Sequence, residues 1–375
     1  MKKQLKRLAI AGAVSAAIGV VGSPAANADA ILFPYMVFSP DVTSIMSVVN
    51  HGTVQANDIP AHQPDQLHYA YWHKLATAVE NDDICVEVDR EFPTTPEDLI
   101  TFDVGGHFGN ANGVLFNDGT DYAGSNFAQL ETLGPTRGFL IVDNLTTDDG
   151  ELYGEAQIFD HANGAMWGYR AYNGEDTQYL VPDFTDSNEI QGEVLMDDEF
   201  TPVEFLPLNE WVTAFFVTPV DTSKDNGDIV GQQWGKYTAK VRFYDTNPET
   251  GLTIVAWDRD EEPVSGPATQ TVTCVGRVEL TDLIGLGAQN SLQDGGWTYF
   301  DVEPGGVGIV NGNDLDNARD DANQAVVFKL EYNTGNTFNG EPINGVVNTA
   351  IWLRDNSAAS GTVGARQGFT GIDGF

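Results

Sequence analysis

The chain has 375 residues, with 18 Lys and Arg against 55 Asp and Glu and a formal net charge of −37. Such an excess of acid excludes nucleic acid as a natural partner, because binding a polyanion requires a basic footprint. No segment approaches the roughly 20 apolar residues that a membrane helix needs, so no transmembrane segment is expected.

Lys2, Lys3, Lys6 and Arg7 precede an apolar run from Leu8 to Val21 and the small residues Ala26-Asn27-Ala28-Asp29-Ala30. That is the pattern of a secretory signal peptide over residues 1–28, and export to the periplasm, the cell surface or the extracellular space follows from it. Cleavage after Ala28 or after Ala30 satisfies the small-x-small rule, so Asp29 and Ile31 are both candidate mature starts. Taking the four basic residues of the leader from the 18 leaves 14 against 55 acids, a mature net charge near −41. Residues 29–355 read as an all-β region, either one large domain or two packed ones, and 356–375 as a loose Gly- and Ser-containing tail.

Ile31 to Phe38, interrupted by Pro34, reads as an edge strand, since proline cannot donate to a central ladder. Thr43 to Asn50, Leu67 to Leu75 and residues 84–92 supply further strands. Thr95-Pro96-Glu97-Asp98 has proline and acids placed as in a single helical turn. Leu99 to Val104 is extended. Gly105 to Arg137 is rich in Gly, Asn and Asp without a period and reads as a long surface excursion. Gly138 to Asp143 leads into the hairpin Glu151 to Asn173, where pairing around Asn163-Gly164 sets Ile158 opposite Tyr169 and Ala156 opposite Ala171. A two-residue or a four-residue loop keeps the same parity, so the inward face is the same for both.

Gly174 to Pro202 reads as a second acidic excursion. Val203 to Val220 carries one or two strands around Phe215-Phe216. Tyr237, Ala239, Val241 and Phe243 alternate with polar residues, and a turn at Asn247-Pro248 leads to a second hairpin arm, Leu252 to Asp258. Gln270 to Leu280, Trp297 to Val302, Val326 to Tyr332 and Val346 to Arg354 complete about a dozen strands. With no amphipathic helix beyond two turns, the pattern is an all-β, antiparallel, β-sandwich-like fold with long acidic Gly/Asn/Asp-rich loops.

The small-residue end of the leader followed by ILFPY, together with GEAQIFDHANGAMWGYRA, resembles uncharacterised secreted β-rich proteins of Gram-negative bacteria. The resemblance covers about fifty residues. It implies export and a β fold, and it brings no catalytic residue onto this chain.

Cys85 and Cys274 are the two cysteines. In an oxidising compartment they are expected to pair, closing a loop of about 190 residues and contributing up to about 5 kcal/mol in the chain-entropy picture. Strand parity opposes the pairing, because Cys85 alternates out of phase with Ile84, Val86 and Val88. A bridge therefore calls for a bulge or for a strand covered on both faces, and two buried thiols are the alternative.

No Gly-x-Ser-x-Gly elbow, P-loop, Cys-x-x-Cys or His-Glu-x-x-His is present. His68 and His73 lie five residues apart in one strand and point to opposite faces, which opposes joint chelation. Two loops are candidates for calcium, the only cofactor the sequence suggests. One holds Asp221, Asp225 and Asp228 and the other Asn313, Asp314 and Asp316, and each places oxygen-bearing side chains close together on a Gly-containing loop. Neither has EF-hand spacing, and a solvated acidic loop is the simpler reading of each. Most aromatics, among them Trp167, Tyr169 and Tyr237, fall on apolar strand faces and read as core rather than as sugar-stacking platforms.

The expected function is therefore a non-enzymatic exported protein of the cell surface or extracellular matrix. The alternatives are a calcium-dependent or carbohydrate-binding module and an extracellular polymer hydrolase, and the candidate partners are an extracellular polysaccharide or further copies of the chain added through Ile31 to Phe38. Calcium at millimolar concentration is expected to raise the melting temperature more than magnesium at matched ionic strength, because flexible carboxylate loops suit the larger ion. Asp314→Asn with Asp316→Asn should abolish the difference if the second loop binds, and Asp225→Asn with Asp228→Asn tests the first. Equal shifts with calcium, magnesium and sodium chloride in a thermal melt would reduce the effect to screening.

Overall fold

The computed structural model describes residues 30–39, 41–51, 65–75, 83–95, 97–104, 135–144, 152–160, 165–174, 195–196, 201–220, 234–243, 245–246, 253–266, 268–304, 320–321, 324–338 and 341–351. The first nine strands all belong to one sheet: β1 (Ala30–Phe38), β2 (Val42–Asn50), β3 (Asp65–Leu75), β4 (Val86–Thr94), β5 (Asp98–Asp103), β6 (Thr136–Asn144), β7 (Leu152–Asp160), β8 (Ala165–Arg170) and β9 (Tyr172–Gly174). The chain continues through β10 (Leu195–Met196), β11 (Thr201–Phe205), β12 (Val212–Val220), β13 (Tyr237–Phe243), β14 (Asp245–Thr246), β15 (Thr253–Ile254), β16 (Ala256–Asp258), β17 (Pro263–Val264), β18 (Thr269–Thr273) and β19 (Gly276–Glu279). Two short helices follow, α1 (Leu280–Leu283) and α2 (Leu286–Ser291), and then β20 (Gly296–Pro304), β21 (Asp320–Asp321), β22 (Gln324–Phe338) and β23 (Glu341–Ile351). The fold is all-β, antiparallel and sandwich-like, as the alternation predicts; among the described strands β21 alone pairs in parallel, with β13.

From β10 onward two sheets are woven together. A middle sheet runs β10-β22-β12-β19 with β23 on β22, and a third runs β17-β16-β20-β13-β18 with β11 on β20. The middle sheet is covered on both faces. Phe216 and Phe328 sit opposite each other in the ladder and face the first sheet, where Phe216 meets Tyr35 at 4.4 Å and Trp167 at 5.4 Å between ring centroids and Phe328 meets Tyr169 at 4.8 Å. Phe215 points the other way, 4.9 Å from Phe300 and 5.7 Å from Phe243 of the third sheet. Double coverage explains why residues 213–219 and 325–331 are buried without a break rather than in alternation.

β1 is an interior strand, not the edge strand expected from Pro34. It lies between β6 and β9 and meets β2 where Phe38 faces Thr43. The register slips by one residue between Phe33, opposite Leu140, and Met36, opposite Gly138, so the proline falls in a bulge where the ladder asks for no donor. The bulge also turns the backbone toward its neighbours. The Thr218 hydroxyl of the middle sheet donates to the Pro34 carbonyl, and the Tyr169 hydroxyl donates to that of Tyr35.

The β7–β8 hairpin has the expected inward face, with Gly154, Ala156, Ile158 and Tyr169 buried or nearly so. Its partners differ from the tight-turn register. Asp160 faces Ala165, Ile158 faces Trp167 and Ala156 faces Tyr169, so four residues separate the arms, and the parity argument survives the two-residue slip. Thr95 and Asp98 close a turn that is not helical: Asp98 N–H donates to Thr95 O at 3.1 Å and Glu97 takes a positive φ of 67°. β13 does not form the second expected hairpin with Leu252 to Asp258; it is flanked by β18 and β20, and only the short β14–β15 ribbon joins the two arms.

A buried ion pair lies between the middle and third sheets. Lys329, 0% exposed, places Nζ 3.2 Å from Glu331 Oε2, and Glu331 is 1% exposed. Lys329 Nζ donates to Glu204 O at 2.7 Å, while Glu331 Oε1 accepts from Leu206 N–H at 2.7 Å and from the Thr213 hydroxyl at 3.0 Å. Asn333 Nδ2 donates to Glu210 O. The cluster thus satisfies backbone groups between residues 204 and 210, where the chain leaves β11 in one sheet to enter β12 in another. Lys329→Met strands the Glu331 charge and is expected to destabilise the protein by about 3–5 kcal/mol. Lys329→Met combined with Glu331→Leu should recover part of that loss, in denaturant unfolding followed by tryptophan fluorescence. A single variant as stable as the parent would contradict this account.

Candidate functional site

Both candidate calcium loops, with Asp221, Asp225 and Asp228 and with Asn313, Asp314 and Asp316, lie outside the described residues, as do His62, His107 and His161. Among the described residues no group of three or more His, Cys, Asp or Glu side chains is placed to hold a metal ion. His68 and His73 both fall in β3 and are both buried. His68 faces Glu91 and Asp143 in the ladders, whereas His73 faces Val86 and Gly138.

Cys85 and Cys274 are joined, with Cα atoms 5.9 Å apart. The parity difficulty disappears because neither cysteine lies inside a strand. Cys85 stands just before β4, with its N–H donating to Gly235 O at 2.9 Å. Cys274 occupies the corner between β18 of the third sheet and β19 of the middle sheet, with a φ of 63°, and its N–H donates to Tyr237 O at 2.8 Å. The bridge therefore ties the first sheet to the point where the chain changes sheets. Lys74 reinforces the junction, with Nζ donating to Asp83 O at 3.0 Å and to Thr273 O at 2.7 Å. A Cβ on Gly235 would come within 2.6 Å of the Trp72 ring and 2.9 Å of Cys85 O, so glycine is what lets the segment lie this close.

Among the aromatics, Tyr169 and Tyr237 are buried and Trp167 lies in the interface of the first and middle sheets, as their apolar faces predict. A second group was only partly legible from local pattern. Trp257 of β16 stands opposite Trp297 of β20, ring centroids 6.0 Å apart and 14° from parallel, and Tyr299 meets Trp297 edge-on at 5.4 Å. Thr298, Phe300 and Val302 of β20 point into the core, so Trp297 and Tyr299 belong to the outer face, where Trp297 is 36% exposed. Glu204 faces Trp297 across the β11–β20 ladder and is exposed. Further along the same face Arg242 Nε donates to Asp301 Oδ2 at 2.7 Å. The alternation in Trp297-Thr-Tyr-Phe-Asp301 carried the signal for two of the three rings. Trp257, forty residues earlier, is placed by the ladder alone.

No protein-family model matches the chain, and no curated protein matches it. Among solved structures, that of the Macrobrachium rosenbergii nodavirus aligns with 72% of this chain and 75% of its own at 10% identity. The TM-score of 0.10 carries no argument about fold or function.

Burial at the junction has a consequence for pH. His73 is 3% exposed, and the loss of hydration lowers its pKa from the ordinary 6.5 to about 4. The neutral imidazole is held in the folded chain while the unfolded chain takes up a proton near pH 6.5. Stability from this group is therefore complete above that pH and is lost as pH falls toward 4, by up to about 3 kcal/mol. The stability gap between the protein and its His73→Gln variant, measured by urea unfolding, is expected to shift by that amount in favour of the variant between pH 7.5 and pH 4.5. A gap independent of pH would contradict it.

Proposed function

We propose that the chain is a non-enzymatic exported protein that acts at the cell surface or in the extracellular matrix. The Cys85–Cys274 bond supports the reading best. It uses both cysteines of the chain, and such bonds persist in oxidising compartments. The leader pattern and the resemblance to secreted β-rich proteins of Gram-negative bacteria point the same way. Among the described residues no helix is long and apolar enough to cross a membrane. A second reading, a carbohydrate-binding module, draws on the outward-facing Trp257, Trp297 and Tyr299.

Cell fractionation of a Gram-negative host expressing the full chain tests the proposal. The mature protein is expected in the periplasm, at the surface or in the medium, beginning at Asp29 or Ile31, with one disulfide-linked peptide pair in unreduced digests. A cytoplasmic protein that keeps its leader and has two alkylatable thiols would overturn it.

A further inference from the structure

Four hydrogen bonds from groups other than the sulfurs hold the two arms of the Cys85–Cys274 bridge. Both cysteine N–H groups donate into one short stretch of main chain at the entry to β13, Cys85 to Gly235 O at 2.9 Å and Cys274 to Tyr237 O at 2.8 Å. Lys74, 5% exposed, spans the same arms: its Nζ donates to the carbonyl of Asp83, just before Cys85, at 3.0 Å and to that of Thr273, next to Cys274, at 2.7 Å. The corner has further support of its own, with Val275 N–H donating to Thr273 O at 2.8 Å and the Thr273 and Thr238 hydroxyls 2.9 Å apart. These bonds hold Cys274 at its φ of 63°, a conformation uncommon outside glycine. None of them requires the sulfurs to be joined.

We infer that Lys74 and the main chain of residues 235–237 form a clamp that seats Cys85 beside Cys274 before the bond exists, with Lys74 as the positioning residue of the oxidation. The cysteines stand 189 residues apart, and closing a loop of that length is entropically unfavourable in an open chain. Once the clamp closes, its hydrogen bonds have offset that cost and the two thiols are neighbours. The co-reactant is a small disulfide such as oxidised glutathione. One cysteine thiolate attacks it, expelling one thiolate and leaving a mixed disulfide; the other cysteine thiolate then attacks the cysteine sulfur of that mixed disulfide and expels the second. The two cysteine protons pass to the two released thiolates, so the cysteine pair is oxidised by two electrons and the small disulfide is reduced by two. Because joined Cys85 and Cys274 are 5% and 0% exposed, the small disulfide reacts while the junction is open, and the clamp drives the second attack as it closes.

Equilibrating the purified protein in mixtures of reduced and oxidised glutathione, with alkylation and mass spectrometry as the readout, measures the effective concentration of one thiol at the other, wherever the protein resides in the cell. It is expected to lie far above the millimolar values that a flexible linker supplies. Lys74→Met should lower it roughly tenfold to a hundredfold, the range that one charge-assisted hydrogen bond spans. Urea unfolding gives a second reading: Lys74→Met should reduce the folding equilibrium constant by that same factor more in the bonded protein than in a chain carrying Cys85→Ala and Cys274→Ala. A lysine that merely supports the fold would cost the same in both. The unsubstituted protein supplies a third measurement, since after refolding under reductant its Cys85 and Cys274 amides should stay protected from hydrogen exchange. A millimolar effective concentration, a value unchanged by Lys74→Met, equal costs in the two backgrounds, amides that exchange at open-chain rates, or failure to refold without the bond would each overturn the inference.

Discussion

The constraint on which the architecture depends is that the middle sheet has no face to give to water. β12 must pack Phe216 against one neighbour and Phe215 against another, so each sheet is positioned by the side chains of the one between them. Interiors this densely filled tolerate little change of volume. The bulge at Pro34 and Tyr35 is the matching adaptation of the first sheet. By leaving the ladder for one residue, β1 presents its carbonyls to Thr218 and Tyr169 and its ring to Phe216. A proline that weakens an isolated strand becomes the point at which two sheets are joined.

Much of this was legible as alternation and little of it as topology. Tyr237, Ala239, Val241 and Phe243 are all fully buried, as their period of two requires, and the inward face of β7 is as expected. Strand parity is a local property and survives errors in loop length, which is why the face of the β7–β8 hairpin was right while its partners were two residues off. Which strands become neighbours is not local. β13 pairs with β18 and β20 rather than with the segment that follows it, because a longer ladder and the stacked Trp257 and Trp297 lie elsewhere. Pro34 misled for a related reason, since a proline says that a donor is missing and not whether a bulge has made that donor unnecessary.

The candidate sites divide in the same way. The cysteine pairing could be expected from compartment and number, but the geometry that allows it, a cysteine before one strand and another in a corner between sheets, appears only in three dimensions. The buried Lys329 and Glu331 were invisible to composition, being two charges among 73. Their role comes from the backbone they satisfy, 125 residues away in sequence for both Glu204 and Leu206. The calcium candidates rest on sequence, and the outward-facing aromatic group rests on the ladder that gathers it.

The order in which the sheets are completed bears on how such a chain could be delivered. The nine strands of the first sheet are synthesised consecutively, but β12 finds its main partner, β22, only about a hundred residues later, and β23 later still. Until residues 324–351 have emerged, Phe216 and Phe215 have no finished sheet around them. Contacts of such long range close slowly. A polypeptide that must be threaded unfolded through a membrane pore benefits from that delay, because the arrangement that would jam the pore cannot lock until its last strands have been made.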